Sequence, residues 1–398
     1  MSRGASRKVE RPGEPEGPRV ERTERVWRIR SLAAAQQVLR ARHATTQAGF
    51  TAEAIPKGYL KHHPILMSDG PLHDEQRKKV ARFFAPAVVA KRYETQMEEV
   101  AERLLDEAGP EIALDELALH YTVEVTAEVV GLTNSPPKKM AARLVTFFNQ
   151  PPFDITKPGL GRTNRQWMQA ALNGLAPILK FHLLDVRPAI RARRKAPQDD
   201  IISHLIAEDY TDLDILVECV TYGTAGMVTT REFICMAALH LLGDDALRER
   251  YLVAGQKERH AILAEIMRLE PVVGHIYRRV QEAIEVTDRG ETHALAPGDL
   301  IDVFVRPANA DPDAVGEDPL HLCPGRSTAA GVNETGLAFG DGAHKCPGQP
   351  LAILESDILL TRLLRRRPRI LREPDLGWDD LIAGYWLRGF RLGVSRSG

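Results

Sequence analysis

Residues 339–348 give the clearest indication of architecture in this chain, and they read Phe339-Gly340-Asp341-Gly342-Ala343-His344-Lys345-Cys346-Pro347-Gly348. The glycines permit tight backbone conformations and close approach to a flat ligand. The cysteine lies just before a predicted helix, whose dipole and exposed amides stabilise a thiolate. Such a thiolate is a ready iron ligand. The alternative interpretation is a buried structural cysteine in a glycine-rich loop.

The composition of the chain is that of an ordinary globular protein. Of its 398 residues, 43% are hydrophobic and 27% are charged, which excludes a collagenous, disordered or disulfide-rich class. The formal net charge of -1 gives no overall attraction to nucleic acid or to an anionic membrane. The four cysteines are too few and too scattered for a disulfide framework, which favours a reducing cytoplasm.

The domain organisation is predicted to be simple. Residues 1–25 are rich in Arg, Glu, Gly and Pro and are expected to form a disordered tail. Residues 26–398 are expected to form a single domain. The tail lacks the apolar run of a signal peptide, and no later segment has about 18 uninterrupted apolar residues, so no membrane span is expected.

The pattern of apolar residues predicts a mainly α fold with one small β region. Ser31 is a candidate N-cap for a first helix, and amphipathic or apolar helices are predicted over 93–108, 164–194 and 214–242. The last of these is long enough to cross the middle of a large domain. Sheet-like sequence is confined to about 280–305, where two β-rich runs are separated by turn residues.

The glycine-rich loop resembles the haem-binding signature of the cytochromes P450, with Phe339, Gly340, His344, Cys346 and Gly348 at matching positions. The resemblance extends from roughly residue 30 to the C-terminus. It implies a single large P450-type fold around a buried haem b, so that 26–398 would be one haem-binding catalytic domain. It also implies that Cys346 is the iron ligand and that the glycines shape the loop against the haem.

A second match is the pair Glu265 and Arg268, on a predicted helix that ends before Pro271. It resembles the Glu-x-x-Arg pair of the same family, which ties its helix to the segment before the haem loop, with Arg326 as the implied third partner. Taken alone, an i, i+3 pair of this kind is more often a solvated surface ion pair.

The third match is Ala225-Gly226-Met227-Val228-Thr229-Thr230, which is similar to the family's oxygen-binding segment. The resemblance implies that Ala225 and Gly226 leave room for dioxygen and that Thr229 helps to deliver protons. An acid normally precedes that threonine, but this chain has Val228, which neither donates nor accepts a hydrogen bond. Water, a substrate hydroxyl or Glu232 by an indirect route could replace it, and the alternative role for Thr229 is a hydroxyl bonded to its own helix.

Haem carries two propionates, which need cationic or hydrogen-bonding partners. The resemblance nominates four residues for this role: His73, Arg77, Arg278 and His344. The first two lie one helical turn apart. The alternative for an exposed arginine is a solubilising charge alone.

The resemblance implies a monooxygenase that activates O2 at Cys346-ligated iron and oxidises a small, largely apolar organic molecule, with secondary metabolites among the candidates. Electrons would come from a separate ferredoxin or flavodoxin and its NAD(P)H-dependent reductase. Residues 77–79, Arg82 and 362–367 are a candidate basic docking face, and 50–68 and 147–153 are among the segments expected to select substrate. No nucleic acid or membrane partner is expected.

Alternative functions remain open. Because Val228 replaces the usual acid, oxidative coupling, peroxide-dependent chemistry or a non-catalytic haem-binding module are the runner-up interpretations. A zinc site built from His321, Cys323, His344 and Cys346 is the other rival. The one-residue gap within each pair makes joint chelation awkward, because structural zinc pairs are usually separated by two to four residues.

Overall fold

The computed structural model describes residues 7–11, 16–49 and 60–394, and helices dominate it. The helices are α1 Leu32–Arg40, α2 Gly70–Phe84, α3 Pro86–Ala108, α4 Leu114–Val130, α5 Pro137–Leu144, α6 Asn164–Phe181, α7 Arg187–Lys195, α8 Ile201–Ala207, α9 Asp212–Tyr222, α10 Thr229–Gly243, α11 Asp245–Val253, α12 Gln256–Leu269, α13 Val305–Asn309, α14 Pro312–Val315 and α15 Gln349–Arg365. The mainly α fold class is therefore confirmed.

The strands are short, and they form four sheets among the described residues. They are β1 Val20–Thr23, β2 Val26–Ile29, β3 Thr45–Ala48, β4 Glu111–Ala113, β5 His275–Val280, β6 Ile284–Asp288, β7 Glu291–Leu295, β8 Leu300–Phe304, β9 Arg369–Arg372, β10 Asp375–Asp379, β11 Gly384–Arg388 and β12 Arg391–Gly393. The largest sheet has the order β1-β2-β8-β5-β3, and the others are β4-β12-β9, β6-β7 and β10-β11.

The prediction of sheet only near 280–305 was incomplete. Strands also lie near both ends of the chain, and β2 pairs in parallel with β8, so that Val26 lies opposite Leu300. These outlying strands have three to five residues each, too few for the alternation of apolar and polar residues to be distinguished from chance.

The folded chain also begins earlier than predicted. β1 starts at Val20, and the preceding Arg19 lies 2.6 Å from a carboxylate oxygen of Asp288 and 2.7 Å from one of Asp311. A composition rich in arginine indicated a solvated tail, but this arginine is paired with buried acids far along the chain. Residues 1–6 and 12–15 of the predicted tail lie outside the described residues.

Most predicted helix boundaries lie within two residues of those in the structure, but α3 starts seven residues before the predicted position. The Ser31 hydroxyl accepts a hydrogen bond from the amide of Ala34 at 3.3 Å, as expected of the N-cap of α1. The amphipathic pattern over 93–108 corresponds to the C-terminal part of α3, with Tyr93 and Met97 buried. The segment predicted as helical over 164–194 contains α6 and α7, joined by a π-helical stretch, His182–Val186.

The long apolar helix crosses the core. α9, a π-helical stretch over Gly223–Val228 and α10 together span Asp212–Gly243. Within the described residues this is the one helix long and apolar enough by composition to cross a bilayer, but 72% of its apolar window is buried inside the fold. That burial is what a core helix requires. Helix α15, which starts just after Cys346, packs against α3 and α12 on another side of the same core.

Candidate functional site

The cysteine loop is held by its own backbone and by the C-terminal end of α1. The amide of Cys346 donates to the carbonyl of Phe339 at 2.8 Å, which closes the loop. Gly340 and Gly342 have φ values of +68° and +64°, a region that favours glycine. A Cβ on Gly342 would lie 2.0 Å from the carbonyl oxygen of Leu39, so only glycine fits there.

Cys346 is accessible to solvent, although protein atoms are packed densely around its thiol. Burial raises the pKa of the Cys346 thiol, while the amides of Gly348 and Gln349 and the guanidinium of Arg77 act to lower it. A Cβ on Gly348 would lie 3.7 Å from Sγ, which leaves the sulfur uncrowded. The sulfur is therefore free to bind a ligand or metal from its open side.

The four predicted propionate partners converge near this loop. The rings of His73 and His344 stack with centroids 4.1 Å apart. Arg77 donates a hydrogen bond to the carbonyl of Lys345, next to the cysteine. Arg278 on β5 is 1% exposed, and its Nη1 donates to the side chain of Gln47 at 3.1 Å. Residues more than 270 positions apart in the chain thus form one cluster.

The cluster has more cationic and donor groups than acids. Asp69 accepts from His344 Nε2 at 3.0 Å and lies 3.8 Å from Arg278 Nη1. The Nε of Arg278 is buried and has no hydrogen-bond partner among the described residues. A buried donor without an acceptor is costly, so an anionic group here would stabilise the cluster. The residues present therefore fit a cofactor that carries carboxylates.

The protonation of His73 follows from these surroundings. Burial lowers the pKa of His73 to about 4, and the charges of His344 and Arg77 act in the same direction.

Asp69 was missed by sequence reasoning. Its position before Gly70-Pro71 marks a helix start, but nothing local to it indicates a contact with His344.

The pair Glu265 and Arg268 is buried on α12, which excludes the alternative of a solvated surface pair. Arg268 donates to the two carboxylate oxygens of Glu265 at 2.7 Å and 2.8 Å. Arg326 and the backbone amide of Cys323 donate to the same carboxylate at 3.3 Å and 3.0 Å. The three predicted partners thus join α12 to the segment that precedes the cysteine loop.

The predicted oxygen-binding segment lies in the π-helical stretch of the central helix. The Thr229 hydroxyl donates to the carbonyl of Ala225, and the Thr230 hydroxyl donates to that of Gly226 at 2.8 Å. The helix-bonded arrangement for Thr229 is therefore the one observed. Ala225 is exposed, whereas Val228 is buried and apolar. The small residues provide an open surface without an acid.

Two carboxyl groups near this segment have different roles. Glu232 accepts from the amide of Leu387 at 2.9 Å and from Arg388 at 2.9 Å, and Arg231 also donates to it. Because these contacts tie it to β11, Glu232 is poorly placed to carry protons. Burial raises the pKa of Glu355 on α15 well above its ordinary value, and its carboxyl bonds to Thr230. Nothing in the sequence marks Glu355 as a neighbour of Thr230.

The zinc alternative gains no support from the geometry. Across 7–11, 16–49 and 60–394, no three His, Cys, Asp or Glu side chains are grouped as ligands of one metal ion. The backbone amide of Cys323 donates a hydrogen bond to Glu265.

Of the segments predicted to select substrate, residues 50–59 lie outside the described part of the chain.

Comparisons with known proteins agree with this geometry. The family described as Cytochrome P450 matches residues 260–367. Cytochrome P450(MEG) of Priestia megaterium is 27% identical over 83% of this chain and 78% of its own. Erythromycin C-12 hydroxylase of Saccharopolyspora erythraea is 28% identical over 88% of this chain and 84% of its own. The polyketide biosynthesis cytochrome P450 PksS of Bacillus subtilis is 28% identical over 84% of this chain and 78% of its own.

Solved structures show the same fold. A mutant of P450 EryK in complex with erythromycin B superposes with a TM-score of 0.77 at 24% identity, covering 95% of this chain and 94% of that one. An unusual cytochrome P450-like monooxygenase of microbial secondary metabolism superposes with a TM-score of 0.79 at 18% identity, covering 96% and 99% of the two chains.

Proposed function

This chain belongs to the cytochrome P450 family, and we propose that it is a haem-thiolate monooxygenase whose iron is held by Cys346. The observation that carries the proposal is one cluster. It consists of an exposed cysteine in the glycine-rich loop and, near that loop, the side chains of His73, Arg77, Arg278 and His344. When bound, haem b supplies activation of O2 at a thiolate-ligated iron.

The protein's contribution on the cysteine side is electrostatic and steric. Arg278 and His344 would bind the haem carboxylates, since a buried guanidinium with a free Nε is a strong donor to an anion. Arg77 extends the same positive surface along α2. His73, whose pKa burial lowers to about 4, is neutral near pH 7 and would contribute a hydrogen bond rather than a charge. Gly340 and Gly348 place no side chain beside the cysteine, which would let a flat macrocycle approach the loop, and the carbonyl of Phe339 accepts a hydrogen bond from the cysteine amide.

On the opposite side, Thr229 is proposed to position protons and water. Its hydroxyl holds the carbonyl of Ala225, and it can exchange that bond for a bond to a bound water. Ala225 and Gly226 leave space beside it. Because Val228 supplies no acid, the proton must reach Thr229 through water or through a hydroxyl on the substrate.

The substrate is proposed to be a small, largely apolar organic molecule of secondary metabolism. Relatives whose names refer to erythromycin and to polyketide biosynthesis support this class. Electrons are proposed to come from a separate ferredoxin or flavodoxin with an NAD(P)H-dependent reductase. A cytoplasmic location belongs to the same proposal, since the four cysteines are all free thiols.

The predicted basic docking face is less cationic than its sequence indicates. Lys79 is paired with Glu75 at 2.8 Å, Arg362 with Glu98 at 2.8 Å, and Arg366 is paired with acids of α3. Docking of an acidic electron carrier would therefore depend on the residues closest to the cysteine loop.

The experiment that tests the assignment is the carbon monoxide difference spectrum of the dithionite-reduced protein. The wild type should show a strongly red-shifted Soret band, and Cys346→Ser should lose it. Cys323→Ser is the matched control, because that cysteine is also exposed and lies in the segment before the loop. A wild type without haem, or a spectrum that ignores Cys346→Ser, would contradict the proposal.

A second candidate function follows from the buried Val228 in place of an acid. Without an acid–alcohol pair, the protein could act through peroxide, perform oxidative coupling or bind haem ligands without turnover. Substrate-dependent oxidation of NAD(P)H by the reconstituted system supports the monooxygenase. Product formation with hydrogen peroxide alone supports the peroxide route. Absence of both activities would indicate a binding module.

A further inference from the structure

Helix α6 turns its large apolar side chains toward solvent. Within its span only Phe181 is buried. Five apolar residues on α6 and on the π-helical stretch that follows it are between 45% and 68% exposed, and we call them the α6 stripe: Met168, Leu172, Leu175, Leu179 and Leu183. An exposed apolar surface of this extent on a globular protein usually marks an interaction site.

The stripe is continuous. Its members follow one another at intervals of three or four residues, which places them on one face of a helix. From Met168 to Leu183 the face is about 22 Å long, comparable with the contact region that one partner contributes to a standard protein interface. Helix α6 is packed against α5, and the stripe remains exposed beside that contact.

The surroundings of the stripe are cationic. Residues 155–184 contain no Asp or Glu, whereas Arg165 and Lys180 lie on α6 itself. Beside the stripe, a groove of about 490 Å³ runs between α5 and α6. Leu172 and Lys180 line one wall of the groove, and Lys139 lines the other. A partner that covers this face must present apolar groups together with negative charge.

We propose that the α6 stripe and its groove dock an acidic protein that presents apolar side chains from a helix. Two copies of this chain joined through the same face would bring Arg165 and Lys180 against a second set of cations, which is unfavourable. A bilayer presents a broad surface that would not enter the groove between α5 and α6, whereas a helix of a partner protein can lie in it. The inference concerns a surface away from the cysteine cluster and does not depend on the proposed function.

The test uses a synthetic helical peptide as long as α6, with leucines at the same spacing and flanking glutamates, and a second peptide with lysines in place of the glutamates. Binding to the full-length protein is measured by fluorescence anisotropy at low and high salt. The glutamate peptide should bind and the lysine peptide should not. Combined Leu172→Gln, Leu175→Gln and Leu179→Gln should weaken binding at least about tenfold, because glutamine keeps helix propensity but removes the apolar surface.

The controls separate a docking surface from a general effect. Combined Leu213→Gln, Val253→Gln and Leu320→Gln change three other exposed apolar residues and should leave binding unchanged. Arg165→Glu with Lys180→Glu should reverse the preference between the two peptides. Thermal melting of every variant checks that the fold is intact.

Several outcomes would overturn the proposal. Failure of the glutamate peptide to bind, or equal binding of both peptides, excludes an acidic helical partner. Dimerisation in light scattering that the Leu→Gln variant abolishes assigns the face to a second copy. Flotation with vesicles of phosphatidylcholine and phosphatidylglycerol in equal parts, again abolished by that variant, assigns it to a lipid surface.

Discussion

The cysteine loop and helix α6 are built in opposite ways. Around the loop, side chains interlock through buried polar contacts: Asp341 accepts from Gln36 at 2.9 Å and from Arg40 at 2.8 Å, and α15 behind the loop is mostly buried. On α6, by contrast, only Phe181 is buried. The difference indicates that many contacts fix the conformation of the loop proposed to hold the cofactor. On α6, by contrast, most side chains can be substituted without disturbing the core.

The strongest test of this contrast breaks a buried ion pair. Glu265→Gln leaves Arg268 buried and uncompensated and should lower the free energy of unfolding by about 3 to 5 kcal/mol. Asp245→Asn removes an i, i+3 pair with Arg248 at the surface and should change it by less than about 1 kcal/mol. Urea unfolding of both variants measures the difference. Similar small effects for the two would mean that burial of the pair adds nothing.

The second prediction concerns Glu218, which holds the segment around Ile65 to the central helix. Glu218 on α9 accepts from the amide of Ile65 at 2.9 Å, and burial raises the pKa of Glu218 to about 7 from an ordinary 4.5. Between these values the unfolded chain loses the proton and the folded chain keeps it. Stability should therefore fall as pH rises through this window, by about 3 kcal/mol from this group.

Glu218→Gln retains the acceptor and removes the titration. The difference in unfolding free energy between wild type and variant should thus shift against the wild type from pH 4.5 to pH 7 and then level off. Urea unfolding across that range measures it. A constant difference would show that Glu218 has the same pKa in the folded and unfolded states.

The third prediction tests the cationic cluster. Arg278→Gln removes a buried guanidinium and should weaken haem retention roughly tenfold to a hundredfold, the expected range for a charge-assisted hydrogen bond. Arg279→Gln, on the adjacent and less buried position of β5, is the control. The rate of haem transfer to apomyoglobin distinguishes them. Equal rates would remove Arg278 from the proposed set of carboxylate partners.

The last prediction compares two Gly→Ala substitutions with opposite expected signs, of which the one in α6 has the smallest expected effect. Gly342→Ala would force a Cβ to within 2.0 Å of the Leu39 carbonyl at a φ of +64°, and it should destabilise by about 1 to 3 kcal/mol or more. At Gly174 in α6 a Cβ meets nothing within 4 Å, so Gly174→Ala should stabilise by about 0.5 to 1 kcal/mol. Thermal melting compares them. Destabilisation by Gly174→Ala would show that α6 is more tightly constrained than its exposure indicates.

What could be predicted from sequence depended on whether the signal was local. The helix after Cys346, the N-cap at Ser31 and the Glu265–Arg268 pair were predicted because the partners lie within a helical turn or share a strict spacing. The contacts of Asp69 with His344 and of Arg19 with Asp288 were missed, since no local pattern links charged residues hundreds of positions apart.

Helix α6 illustrates the same limit from the other side. Its apolar periodicity predicts a helix, and the structure contains one at Asn164–Phe181. The same periodicity would ordinarily be taken as a face packed on the core. Only the packing of α6 against α5, together with the exposure of its apolar side chains, shows that this apolar face is turned outward.

The parallel pairing of β2 with β8 affects how the chain folds during its synthesis, because the two strands are made at very different times. Val26 must wait for Leu300, about 270 residues later, before its strand has a partner. At synthesis rates of 5 to 20 residues per second that delay is between about 14 and about 54 s. β12 can pair with β4 only about 280 residues after β4 has been made. Throughout that interval the N-terminal strands have unpaired edges, so the nascent chain needs protection from neighbouring chains before any cofactor can be enclosed.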